Sequence, residues 1–471
     1  MQKVAVLGAG PAGVGAALML ARSGKATVQV IERAPRVGGN SGSFLHEGIH
    51  CDFGSHRLHP ASEPHILQMI QDAVGHDLLW RPRHGRIRLK GRWIHFPLKP
   101  LDLLLRLPKT FTAQLLWDAA VKPFRRSPVG EPTFASVLHQ GLGPAMCQNF
   151  YYPYMRKLWA LPPEELAVTL AARRVSGSSI GKIVGKILRQ VPGLKKPQTG
   201  GFFYPRKGFG QISEALQSEA ENLGADFALE ASVSAVEHEN GRVKAVRYRT
   251  GEGELRVETG SVWSTLPITS LVSLMDPPPP APVSEAAARI RYRGMILIYL
   301  VLEQQQFTEY DAHYFPEYAV PLSRLSEPKN YSASTEPDGV TILCAELPCD
   351  PNEHLWSLSD DELGAELCGW LAGVGLPVTA KIRRTVTQRL GYAYPVYDRN
   401  FEADLAIMDR WVEGVKGLLT FGRQGLFAHD NTHHALAMAH GAVDCLGADG
   451  SFDLAKWHDY RRVFETHVVE D

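Results

Sequence analysis

The sequence carries no excess of charge: 50 Lys plus Arg stand against 50 Asp plus Glu in 471 residues. Without a global field to draw in a polyanion, a general nucleic-acid binder is excluded. Cysteine is scarce, and the six present (Cys51, Cys147, Cys344, Cys349, Cys368, Cys445) are scattered with no C-x-x-C pair. Neither a disulfide framework nor a cysteine zinc site is indicated, and reduced, mostly buried thiols are expected. Long apolar runs are missing too. The longest, Met295 to Leu302, is far short of the roughly 20 residues that span a bilayer, so no transmembrane helix is expected. Lys3 already begins a strand-like run, without the charged, apolar and small-residue succession of a secretory signal, and the expected location is cytoplasmic.

What is present is the composition of a folding chain, 44% hydrophobic and 21% charged, with length for about three domains' worth of core. Lys3 to Leu7 (KVAVL) reads as a buried strand, Gly8-Ala9-Gly10-Pro11-Ala12-Gly13 as a turn, and Val14 to Arg22 as a helix. A second strand, Val28 to Ile31, ends on Glu32. In such a unit Gly8 allows the bend, Gly10 lets the main chain approach a pyrophosphate, Gly13 lets helix and strand pack, and Glu32 accepts from ribose hydroxyls. Glu32-Arg33-Ala34-Pro35-Arg36-Val37-Gly38-Gly39 adds a second glycine turn where a flavin dinucleotide continues, which favours FAD over NAD.

From Pro60 to about Gln198 the pattern is helical, broken by Pro and Gly, with one hairpin expected at Gly85 to Pro97. Strands are expected at 227–231, 243–248 and 261–265, and Pro277 to Pro280 reads as a stiff connection into strands at 295–302 and 340–347. The fold class expected is α/β: a Rossmann-like FAD-binding domain with a parallel sheet (1–75, 200–270 and 385–471) and a discontinuous α+β substrate lobe. That lobe comprises a mostly helical part (76–199) and a β-rich part (271–384). Lys122, Arg125 and Arg126 close the apolar stretch Leu101 to Trp117. Such a pattern suits a membrane-surface helix or a helix of the substrate lobe, and the second is expected. His429, His433, His434 and Asp430 crowd together in sequence, but Gly425 to Asn431 reads as loop and no metal site is expected.

Asp52-Phe53-Gly54-Ser55-His56, Ser264-Thr265-Leu266-Pro267 and Phe421-Gly422-Arg423 resemble the FAD-dependent amine oxidase and protoporphyrinogen oxidase superfamily. Within it the chain is similar to the UDP-galactopyranose mutases, particularly the eukaryotic-type branch. Gly54-Ser55-His56 matches that family's Gly-Gly-His loop, Arg86 to Pro97 its R-I-x…G-x-W-x-x-Y-P hairpin, and Tyr154 to Pro162 its Y-N-x-K-x-W-A-x-P segment. Arg174 follows Trp159 at the family's spacing, and Tyr314 to Glu317 with Pro321, Arg324, Asn330, Tyr331 and Ser332 align without a gap.

The resemblance implies FAD contacts from Gly8, Gly10, Pro11, Ala12, Gly13, Glu32, Arg33, Gly38, Gly39, Asn40, Ser55, His56, Val233, Gly422, Arg423, Asn431 and Thr432. It implies catalytic or substrate roles for His56, Arg174, Arg324, Trp159, Tyr314 and Tyr392, the two arginines holding a diphosphate through guanidinium forks. The substrate implied is a small molecule, a nucleoside diphosphate sugar. The reaction implied is an exchange of sugar ring size through reduced flavin without net redox, needing an external reductant. The alternative is an oxidoreductase that passes electrons to an external acceptor. Ala312, Met155, His429 and Ser55 depart from the family pattern, so contacts to sugar and base differ from the family's.

Overall fold

The computed structural model of the chain describes residues 2–125, 131–174 and 200–469, without the side chains of Pro100, Leu101, Leu104, Ala172 and Arg174. Strand Gln2–Leu7 is buried on both faces from Val4 onward, as an interior parallel strand requires. Helix Pro11–Ser23 follows, with Pro11 in its first turn and Gly24 closing it in the left-handed conformation at φ 62°. Five parallel strands form one sheet in the order Leu418–Thr420, Val262–Ser264, Gln2–Leu7, Ala26–Ile31, Asp226–Ala228. Their register pairs Leu7 with both Ile31 and Ser264, and Ser264 with Thr420. Gly8, Glu32, Thr265 and Phe421 therefore leave the sheet from one edge, the carboxyl edge at which open α/β sheets bind ligands.

A seven-stranded sheet forms the other lobe, in the order Ile382–Pro395, Tyr292–Leu302, Thr341–Pro348, Arg324–Ser326, Ala312–Tyr314, Gly85–Leu89, Arg92–Phe96. The expected hairpin supplies its last two strands. The boundary read at 385 falls inside the strand Ile382–Pro395 of this sheet. A third, four-stranded sheet carries Ser232–Glu239, whose start brings Val233 toward the parallel sheet.

Two local readings differ from the structure. The proline run leads first into helix Ala281–Arg289, because proline has no amide to waste in a first turn and its ring presets φ, while the Ala-rich sequence that follows propagates the helix. The apolar stretch from Leu101 is two helices, Pro100–Arg106 and Lys109–Val121, separated at Leu107-Pro108 where proline restricts the residue before it. All six cysteines are free thiols and five are buried. No helix among the described residues is long and apolar enough to cross a membrane.

Candidate active site

A cavity of about 500 Å³ runs from the carboxyl edge of the parallel sheet to the seven-stranded sheet. Gly8, Gly10, Pro11 and Ala12 line its first end together with Glu32, Arg33, Gly39 and Asn40, and Val233 closes one side. No side chain caps the N-terminus of helix Pro11–Ser23, which leaves that end to an anionic ligand group. A Cβ built at Gly10 meets nothing within 4 Å, so the space before it is open, whereas one at Gly13 falls 1.9 Å from the Gly8 carbonyl oxygen. The Glu32 carboxylate accepts from the Ala9 and Ala34 amides, both at 2.8 Å. It is fixed in place as an acceptor with lone pairs to spare. An open backbone cradle, an uncapped helix and a fixed carboxylate fit the pyrophosphate and ribose of a dinucleotide.

Midway along, the loop from Asp52 to His56 is pinned from below. Buried Asp52 accepts from Ser43 Oγ (2.6 Å), the Phe209 amide (2.8 Å) and Tyr204 Oη (2.7 Å). Burial pushes its pKa up to about 6 against the pull of these donors. Tyr299 Oη donates to the Asp52 carbonyl at 2.6 Å. His56 Nε2 lies 3.0 Å from the Phe53 carbonyl, which can only accept, so that nitrogen carries the proton. Burial pulls the His56 pKa down to about 4; the Phe53 hydrogen bond opposes this, and the charges of Arg324 and Arg423 reinforce it. The ring is neutral at physiological pH.

At the far end the sheet register builds the wall. Tyr314 lies directly opposite Arg324, and Arg324 directly opposite Glu346, a cross-strand placement in which opposite charges attract. Arg324 donates through Nε (2.9 Å) and Nη2 (3.0 Å) to the two Glu346 oxygens, and Glu346 Oε1 also accepts the Ser55 amide at 2.7 Å. Arg57 donates to Tyr314 Oη (2.6 Å), Tyr331 Oη (3.1 Å) and Asp311 (3.3 Å). Tyr331 is joined by a short hydrogen bond to Ser55 Oγ. Lys157 donates to the carbonyls of Phe315, Glu317 and Leu322, tying helix Tyr152–Trp159 to the loop after Tyr314. Burial pushes the Lys157 pKa down to about 7.

The opposite wall is aromatic. Tyr394 and His429 stack in parallel, 5.1 Å between centroids. Arg423 lies 5.6 Å from the Tyr394 ring and donates to the Ala393 carbonyl at 2.8 Å. Asn40 reaches the Tyr392 carbonyl at 2.9 Å. Asn431 caps helix Thr432–Asp444 through a reciprocal box with His434.

Most residues singled out in the sequence thus meet on this cavity, Ser55, His56, Tyr314, Arg324, Tyr392, Arg423, Asn431 and Thr432 among them. Trp159 does not. It is 1% exposed and its indole N–H donates to the Pro395 carbonyl at 3.0 Å. On helix Tyr152–Trp159 the pair Tyr154 and Leu158 faces the cavity, and the pair Met155 and Trp159 enters the core, as spacing by four on a helix dictates. Gly13, Gly38 and Gly422 lie behind the lining rather than in it. The Arg174 side chain is outside the described residues. Of the departures from the family pattern, Ser55 and His429 line the cavity, while Met155 and Ala312 are buried away from it. Arg57, Glu346, Tyr394 and Asp430 also line it and were not singled out as site residues. Glu346 had a signal, being the single charge in the otherwise apolar strand Thr341–Pro348.

Asp430, His434 and His467 come within 4.8 Å of one another, the spacing of a metal site. The His434 and His467 rings stack at 4.1 Å and 15°, so their in-plane lone pairs run side by side instead of converging. Asp430 already takes His467 Nδ1 at 3.0 Å and faces Arg173 at 3.8 Å. Burial alone would raise the Asp430 pKa, but the His467 hydrogen bond and the charges of His434, His467 and Arg173 hold it below the ordinary carboxylate range. The group reads as a charge network that ties the C-terminal residues to the cavity rim.

The profile of the flavin-containing amine oxidoreductase family matches residues 11–443. Protoporphyrinogen oxidase 1 of Spinacia oleracea chloroplasts is 25% identical over 267 residues, 53% of this chain and 46% of that protein. The 4,4'-diapolycopene oxygenase of Methylomonas sp is 24% identical over 270 residues, 53% of each. The chain spans about half the length of these curated relatives. Among solved structures, reduced UDP-galactopyranose mutase superposes with a TM-score of 0.79 over 100% of both chains at 20% identity, a likeness of fold.

Proposed function

The chain belongs to the flavin-containing amine oxidoreductase family, and from that premise we propose that this FAD-dependent enzyme acts on a nucleoside diphosphate sugar or a similar diphosphate, exchanging sugar ring size without net redox. Bound FAD supplies a centre that accepts hydride when oxidised and acts as a nucleophile when reduced. Gly8, Gly10, Pro11, Ala12, Glu32 and Arg33 would hold the dinucleotide, and Ser55 and His56 would face the flavin from the middle of the cavity. The substrate occupies the far end.

One observation carries this reading: two guanidiniums, Arg57 and Arg324, flank Tyr314 on one wall. Arg324 binds Glu346 through Nε and Nη2, which leaves its Nη1 without a hydrogen-bond partner among the described residues, while Arg57 has Nη1 and Nη2 engaged and Nε buried and contributes its charge. A phosphoryl group finds one open donor and two guanidinium charges there. A second reading, oxidation of a less charged substrate, draws on the same wall. Each arginine already faces a carboxylate, Asp311 or Glu346, which leaves the wall near neutral.

The test is anaerobic incubation of reduced holoenzyme with a panel of nucleoside diphosphate sugars, followed by chromatography and visible absorption. Many equivalents of a new isomer with no further reductant and no change in the flavin band support the isomerase. Bleaching of oxidised enzyme by a substrate, with recovery in air, replaces it with the oxidoreductase. In either case the bound-flavin spectrum should show no transition between pH 5 and 8, because burial keeps His56 neutral there. A transition near the ordinary histidine value, roughly 6.5, lost in His56→Gln, would place His56 in solvent.

A further inference from the structure

The four most exposed large apolar side chains among the described residues are Phe124 (84%), Leu105 (75%), Trp117 (69%) and Leu116 (63%). All belong to two consecutive helices, Pro100–Arg106 and Lys109–Val121, with the turn that follows. A surface helix normally shows charge to water, but here, after Lys109 at the first position, the exposed residues are Thr110, Ala113, Gln114, Leu116, Trp117, Ala119 and Ala120, none of them charged. Residues 113, 116, 117 and 120 share one helical face. The other face is committed to the core, where Phe111 and Leu107 pack on Ile87, Leu89 and Ile94, with Tyr314 of the cavity wall beside them.

Charge surrounds this apolar face with one sign. The stretch from Leu98 to Arg125 has two acids, Asp102 and Asp118, and both turn inward. Asp102 accepts the His95 amide at 2.7 Å and pairs with Arg106, while Asp118 accepts the Ala145 amide at 2.8 Å and pairs with Arg125. Lys99, Lys109 and Lys122 are exposed and form no ion pair among the described residues.

We propose that this helical segment is a docking surface for an anionic lipid bilayer, with Leu105, Leu116, Trp117 and Phe124 entering the headgroup boundary and the three lysines meeting lipid phosphates. A second copy of the chain fits the same face less well, because an isologous contact sets a patch against itself and brings lysine toward lysine. The surface lies on the outer side of the layer that supports Tyr314, so docking holds the substrate lobe toward the membrane.

The experiment is sedimentation of holoenzyme with phosphatidylcholine vesicles, with and without phosphatidylglycerol, at low and high salt. Three lysines at about 1 kcal/mol each correspond to binding on the order of a hundredfold tighter on the anionic vesicles, with the difference shrinking at high salt. The double variant Leu116→Glu, Trp117→Glu should lose vesicle binding while keeping FAD content and melting temperature, since both side chains are exposed. Lys109→Glu with Lys122→Glu should remove the preference for anionic lipid. Wild-type enzyme that ignores both vesicles, or a double variant that binds like wild type, overturns the proposal. So does a wild-type dimer in analytical ultracentrifugation that Leu116→Glu, Trp117→Glu converts to monomer, which would assign the face to a second copy.

Discussion

Gly10→Ala should leave the fold as stable as wild type and still strip FAD from the protein. The added methyl meets no chain atom within 4 Å, and the backbone there, φ −68° and ψ 176°, is open to any residue. Nothing in the polypeptide resists the change. The methyl instead occupies the space into which a pyrophosphate must come to reach the uncapped helix end. Losing that approach is worth roughly 3 kcal/mol, about a hundredfold in FAD affinity. Gly13→Ala is the contrast, because its Cβ would sit 1.9 Å from the Gly8 carbonyl oxygen and helix and strand must separate before the chain can close. That variant should lose both FAD and melting temperature. The ratio of flavin to protein absorbance after gel filtration, read beside thermal unfolding of the apo form, checks both. Wild-type flavin content in Gly10→Ala would remove the pyrophosphate from this turn.

The contrast between these glycines and the far wall explains what could be read from the chain. The dinucleotide end is built from strand, turn and helix within some thirty residues, and each glycine there has a local steric reason, so residue order alone exposes it. The far wall is assembled by register and by contacts distant in sequence. Arg57 meets Asp311 and Tyr314 across more than 250 positions, and Arg324 meets Glu346 only because two strands align them. No short motif encodes such a pairing. A diphosphate clamp could therefore be expected at Arg324, whereas the lone charge of strand Thr341–Pro348 marks Glu346 as unusual without naming Arg324 as its partner. Trp159 differs for another reason: the motif names the residue but not its helical face, and the fold turns Tyr154 and Leu158 to the cavity in its place.

Glu346→Ala should destabilise the protein by about 3–5 kcal/mol, the usual consequence of leaving one member of a buried ion pair alone. Glu346 is 4% exposed and Arg324 14% at the side chain, so little solvent screening softens the loss. The Ser55 amide loses its acceptor in the same stroke, and with it an anchor of the loop that carries His56. Arg324→Ala should cost a similar amount from the opposite side. The double variant Arg324→Met, Glu346→Leu removes both charges and should recover the part of the loss due to the unpaired charge, because apolar side chains of similar size replace a buried pair with little net loss, while the Ser55 amide stays without its acceptor. Denaturant unfolding of the four proteins forms the cycle, and a double variant as unstable as the singles would mean the pair does more than satisfy itself. The same variant also separates packing from recognition. If Arg324 Nη1 holds a diphosphate, a stable, FAD-loaded double variant should bind a nucleoside diphosphate about ten- to hundredfold more weakly than wild type, the worth of one charge-assisted contact. Unchanged nucleotide affinity in that folded protein would leave Arg324 and Glu346 as a strut between neighbouring strands, and the case for a diphosphate substrate would then rest on Arg57 alone.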